Sequence, residues 1–220
     1  MKKAAITISA IAIACLASAL ALTGCASAED FTAMSYTSGG SVTDIVINVS
    51  ERALDISASE DENVHIAYHD SEKEYLDIKE NSDGQLTIEL AENKEWTDYI
   101  GFAAPAEYRR IEVRVPAGVA SLSAVTSGED VTISGLKLSD SLGLNVNNGD
   151  ISLGSFDVGR SIGLTVKNGD ISGSIAGSAE DFSITCDVKK GDTDLPERTE
   201  GGEKTLTVSV NNGDAHISFA

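Results

Sequence analysis

A short motif recurs along the C-terminal half of this chain at nearly constant spacing. Its clearest copies are Leu144-Asn145-Val146-Asn147-Asn148-Gly149-Asp150-Ile151 and Leu164-Thr165-Val166-Lys167-Asn168-Gly169-Asp170-Ile171. Two more are Cys186-Asp187-Val188-Lys189-Lys190-Gly191-Asp192 and Val208-Ser209-Val210-Asn211-Asn212-Gly213-Asp214, and Gly128-Glu129-Asp130 is a degenerate first copy. The glycines fall 21, 20, 22 and 22 residues apart. A fixed period of this size marks a repeat architecture, in which each unit buries its apolar face against its neighbours. Val146 and Ile151 are five positions apart, an odd number, so a straight strand would point them to opposite faces. Both reach one interior only if the chain turns at Asn-Gly-Asp, where Asn and Gly tolerate the positive φ of a tight corner. The predicted corners are Gly128, Asn148, Gly149, Asp150, Asn168, Gly169, Asp170, Gly191, Asp192, Asn212, Gly213 and Asp214.

Two architectures satisfy this pattern. In a hairpin meander each Asn-Gly is a two-residue β-turn. In a β-solenoid each unit is one coil, and Leu144, Leu164, Cys186 and Val208 stack in one interior column about 4.8 Å apart. The recurrence of apolar residues at one position favours the solenoid, as does an aromatic content of only 5%. Stacked coils would also align Asp130, Asp150, Asp170, Asp192 and Asp214, with repulsion of about 0.9 kcal/mol between neighbours even in water. Backbone N–H groups at the corners are expected to offset it. Bound Ca²⁺ is the alternative, but calcium β-rolls resemble Gly-Gly-x-Gly-x-Asp at a nonapeptide period, and this chain has neither.

Upstream, apolar residues alternate with period two at Ile45, Ile47, Val49; Leu54, Ile56; Val64, Ile66, Tyr68; Leu76, Ile78; Leu86, Ile88, Leu90; and Ile111, Val113, Val115. These are half-buried strands. The alternation breaks over residues 91–108, which hold Trp96, Tyr99, Phe102 and Tyr108 and are expected to cover an open end of the β core.

At the N-terminus, Met1-Lys2-Lys3 precedes an uncharged apolar stretch over residues 4–22 and then Thr23-Gly24-Cys25, the pattern of a secretory signal. A stretch of this length could span a bilayer as a retained helix. Against that, Leu22-Thr23-Gly24-Cys25 resembles the lipobox of bacterial lipoproteins, which implies cleavage before Cys25 and lipid on its sulfur. The implied location is extracytoplasmic, on the cell membrane or on an outer membrane where one exists. Residues 26–41, rich in Ser, Thr, Gly and Ala, read as a flexible tether. The chain thus divides into a signal (1–24), the lipidated Cys and tether (25–43), an N-terminal β region capping the solenoid (44–118) and the Gly-Asp repeat solenoid (119–220).

Losing Lys2 and Lys3 with the signal moves the net charge from −19 to −21. Such a body is repelled by phosphates, which argues against nucleic acid and anionic lipid surfaces as partners. Cys15 leaves with the signal and Cys25 carries lipid, so Cys186 stands alone, at a position otherwise held by Leu or Val, as a small buried hydrophobe. His65 and His69 share a strand face, but residues four apart on a strand are about 13 Å apart, too far for one metal ion. Basic residues after Pro116 share no register beyond Lys167 and Lys189, and no nucleophile–base set stands out. The reading holds no cofactor, metal or catalytic residue.

The strand ending Ile111-Glu112-Val113-Arg114-Val115-Pro116, the run of Gly-Asp repeats and the closing Asn211-Asn212-Gly213-Asp214-Ala215-His216-Ile217-Ser218-Phe219 resemble a family of bacterial envelope proteins described as adhesins or β-strand-repeat proteins. The resemblance covers roughly residues 44–220 and implies the fold, with adhesion as the associated role. The expectation is a non-enzymatic, lipid-anchored envelope protein that binds an envelope, glycan or protein partner. The alternatives are a sensor or accessory protein of an envelope-stress system and a glycan-active β-helix enzyme. The final strand, Ala215 to Phe219, has outward residues His216 and Ser218 and leaves an edge for weak self-association or partner docking unless the loop 196–204 or the aromatic segment folds over it.

Overall fold

The computed structural model describes residues 29–95 and 104–220. Cys25, the signal, Trp96, Tyr99 and Phe102 lie outside the described residues. The N-terminal half contains β1 (Thr32–Thr37), β2 (Asp44–Asn48), β3 (Ala53–Ala58), β4 (His65–Asp70), β5 (Glu74–Glu80), β6 (Gln85–Glu92) and β7 (Arg110–Val115). The repeats form β8 (Ser121–Thr126), β9 (Val131–Ser134), β10 (Lys137–Leu138), β11 (Ser141–Asn148), β12 (Ile151–Leu153), β13 (Asp157–Val158), β14 (Ser161–Asn168), β15 (Ile171–Ile175), β16 (Phe182–Val188), β17 (Lys204–Asn212) and β18 (Ala215–Phe219).

These strands build a β-solenoid. The first sheet runs β1-β4-β7-β3-β9-β12-β15-β18 and the second β5-β6-β2-β8-β11-β14-β17-β16, while β10 and β13 form a short third side. Pairing between successive repeats is parallel and in register, with Leu142 opposite Ile162, Leu144 opposite Leu164 and Ile151 opposite Ile171. Parallel neighbours exclude the hairpin meander, which would pair them antiparallel. Val146 and Ile151 are both fully buried, so the turn at Asn148-Gly149-Asp150 does bring both phases of the alternation inward. Gly149, Gly169, Gly191 and Gly213 have φ of 142°, 137°, 150° and 136°, a region that side chains strongly disfavour.

Three features depart from the sequence reading. First, the expected tether contains β1, which pairs antiparallel with β4 from Thr32–Asp70 to Thr37–His65. Thr and Tyr favour strands, and Phe31 just before it stacks on Tyr108 with ring centroids 5.0 Å apart. Second, the segment 44–118 does more than cap. β2–β3 and β6–β7 are full rungs of the same two sheets, and β2–β3 sits between β6–β7 and β8–β9. Only β1, β4 and β5 run antiparallel to their neighbours and close that end.

Third, the last two repeats stack out of chain order. β17 lies between β14 and β16, pairing parallel with both, so the interior column runs Ala124, Leu144, Leu164, Val208, Cys186. The final rung enters a slot left between its predecessors, and the outermost coil belongs to β16. The segment after β16 then covers the terminal edges. Thr193 bridges to Ala215, the Ile217 N–H donates to Asp194 Oδ1 at 3.1 Å, the Cys186 N–H donates to the Glu197 carbonyl at 2.9 Å and the Thr199 N–H to the Ile184 carbonyl at 2.9 Å. The edge of β18 is thus met by Thr193 and Asp194, just ahead of the loop 196–204 expected to cover it, while Glu197, Arg198 and Thr199 of that loop lie along the edge of β16 instead.

Candidate binding surfaces

The corner residues form two ladders along the solenoid. Asn168 Nδ2 donates to Asn148 Oδ1 and Asn212 Nδ2 to Asn168 Oδ1, both at 2.7 Å. Beside them the Asp150 N–H donates to Asp130 Oδ1, Asp170 N–H to Asp150, Asp214 N–H to Asp170 and Asp192 N–H to Asp214, each at 2.8 Å. The expected backbone donors are thus those of the next rung, and each bond between a carboxylate and an N–H is charge-assisted. The column is a structural device: it holds the corners in register and spends one oxygen of four of the five carboxylates, all but that of Asp192, within the fold.

Other expected residues do not converge. His65 Nε2 lies 2.9 Å from Asp61 Oδ1, whereas His69 packs against Tyr108 at 5.2 Å between centroids. Asp61 is held at a pKa of about 2, by the Asn63 N–H first and the His65 ring second. Cys186 is buried with its thiol 3.7 Å from Thr193 Oγ1, and burial pushes that thiol up, which leaves it a poor nucleophile. Among the described residues, no group of three His, Cys, Asp or Glu side chains is placed to hold a metal.

An ion cluster that the sequence reading missed lies at the N-terminal end. Arg52 and Glu74 are 3% and 5% exposed, and the Glu74 carboxylate pairs with both Arg52 and Lys94. Burial alone would raise the Glu74 pKa, but the two cations outweigh it and hold the carboxyl below its ordinary value. The available signal was the acidic Glu74 in phase with inward Leu76 and Ile78.

Two concave surfaces stand out among the described residues. One is a shallow groove of about 390 Å³ on the outer face of the second sheet, crossing β6, β2, β8, β11, β14 and β17. Its outward residues include Ser121, Ser123, Ser141, Ser161, Thr205 and Thr207, and its floor is lowered at Gly143 and Gly163. The one charged residue lining it, Asp44, accepts from the Ser121 and Thr43 hydroxyls, which lower its pKa. The other is a cleft of about 650 Å³ at the C-terminal end, between β16 and β18.

Among solved structures, a candidate cell adhesion protein from Clostridium sporogenes is similar over 86% of this chain and 100% of its own, with a TM-score of 0.54 and 12% identity. A candidate adhesin from Parabacteroides merdae covers 85% of this chain and 80% of its own at 12% identity and a TM-score of 0.38. At such identities the first likeness speaks to the fold alone. No curated protein matches the chain. Residues 42–141, which run from just before β2 to the start of β11, match the family model described as Toastrack DUF4097.

Proposed function

We propose that this chain is a lipid-anchored envelope protein that binds a neutral glycan along the groove of the second sheet and performs no chemistry on it. The observation that carries the reading is the groove itself: hydroxyls in register over the four strands β8, β11, β14 and β17, with little charge, on a molecule whose net charge is −19. Hydroxyl groups fixed on rigid strands match the hydrogen-bonding pattern of a sugar, and uncharged ligands escape the repulsion that excludes anions. The adhesion named for the Clostridium sporogenes protein of the same fold fits this role.

Anchoring supports the same picture. With lipid on Cys25, six residues precede β1, a reach of at most about 20 Å. The β1 end of the solenoid then faces the membrane. β18, at the opposite edge of the first sheet, stands about 33 Å farther out at the spacing of hydrogen-bonded strands.

Gly163 offers a clean test, because a Cβ there meets nothing within 4 Å. Gly163→Tyr should fill the groove without disturbing the sheet. On a glycan array the wild-type protein should retain at least one neutral glycan intact, and the variant should lose it at an unchanged melting temperature. Retention by the variant, or no retained glycan at all, would overturn the reading, and a cleaved glycan would point to the enzyme instead.

A further inference from the structure

The C-terminal cleft is an opening into the core. Its walls are Phe182, Ile184, Leu195, Ile217 and Phe219. The first four are no more than 7% exposed, and the Phe182 and Phe219 rings lie 5.4 Å apart at its mouth. A volume of about 650 Å³ falls within the range of small-molecule sites, which combine an apolar lining with a few polar groups. The polar side chains here are Thr199 and three carboxylates, Glu180, Asp194 and Glu200. Glu200 is paired with Arg198 at 2.8 Å, and Asp194 has His216 at 3.6 Å. Glu180 has no ion-pair partner among the described residues. Lys204, the cation nearest the Phe182 ring at 5.6 Å, is engaged by Asp157. The rim is therefore net negative around an apolar interior.

We infer that this cleft binds a small amphiphilic amine, with its apolar chain against Phe182, Ile184, Ile217 and Phe219 and its ammonium group at Glu180. The carboxylates favour a cation over a neutral or anionic analogue, and the Phe219 ring, unlike that of Phe182 with Lys204 over it, adds a face to which a cation is attracted. The site lies at the opposite end of the stack from β1 and apart from the groove of the second sheet, so either can fail without the other.

The test uses the chain from residue 26 onward, which contains every core residue of the described structure, and three probes of equal chain length: octylammonium, octanol and octyl sulfate. Methyl NMR should show saturable shifts at Ile184 and Ile217 with octylammonium. Octanol should bind at least about tenfold more weakly and octyl sulfate more weakly still. Glu180→Lys with Glu200→Lys changes two exposed residues. It should weaken octylammonium binding at least about tenfold while leaving the melting temperature unchanged. No saturable shift, equal binding of octanol, preference for the sulfate, or full binding by the double variant would each overturn the inference. So would light scattering showing that a second copy of the chain already fills the cleft.

Discussion

Gly169 and Gly163 are six residues apart in one repeat, and they make opposite demands on a side chain. At Gly169 φ is 137°, and a Cβ would overlap the carbonyl of Gly149 in the rung below. At Gly163 the backbone is ordinary strand and the space is open. Gly169→Val should therefore destabilise the protein by about 2 kcal/mol or more, from combined strain and overlap. Gly163→Thr should stay within about 0.5 kcal/mol of wild type. Denaturant unfolding of the two variants checks the pair, and equal stabilities would contradict the corner geometry. The corner was legible because its odd spacing and its Asn-Gly chemistry are local. The donor to each Asp was not, since the N–H comes from a neighbouring rung 20 to 44 residues away in sequence.

At the scale of elements, alternation predicted the strands, and the buried residues follow it. Ile45, Ile47, Leu54, Ile56, Ile111 and Val113 are all at or below 1% exposure. Alternation says which face of a strand is inward, but not which strand lies beside it. β16 and β17 carry inward residues of one kind, with Ile184 opposite Leu206, Cys186 opposite Val208 and Val188 opposite Val210, so the alternation does not tell which of them lies beside β14. In the observed order, residues 193–199 run along the edges of β16 and β18. Leu195 pins that cover at 7% exposure. Leu195→Ala should cost about 2 kcal/mol, near the lower limit for a buried leucine. Freed edges of β16 and β18 should then make the mass measured by light scattering rise with concentration; a mass that stays constant would show that the cover does not protect them.

For the molecule as a whole, the proposed lipid at Cys25 would give the solenoid an orientation. β1 shortens the segment between Cys25 and the first sheet to six residues, so a lipid at Cys25 holds the antiparallel end close to the bilayer. Cys25→Ala removes the sulfur that acylation requires. It should abolish incorporation of radiolabelled palmitate and leave an unprocessed or mislocalised precursor, whereas label on the mutant would sink the lipid assignment. An acidic body on such an anchor is repelled by anionic headgroups, which favours a stack standing away from the membrane over one lying along it.

The sequence by itself determined the secondary structure type, the corners, the inward positions and the repeat period, because each follows from local backbone chemistry and a period that a short window contains; the parallel pairing that separates the solenoid from the hairpin meander came from the tertiary structure. Only the tertiary structure decided the rung order, the ladders of Asn and Asp, the burial of Arg52 with Glu74 and Lys94, and the two concave surfaces. Those depend on which of several equivalent strands become neighbours, a choice made by long-range contacts. Chemically similar repeats leave almost no mark of that choice in the sequence.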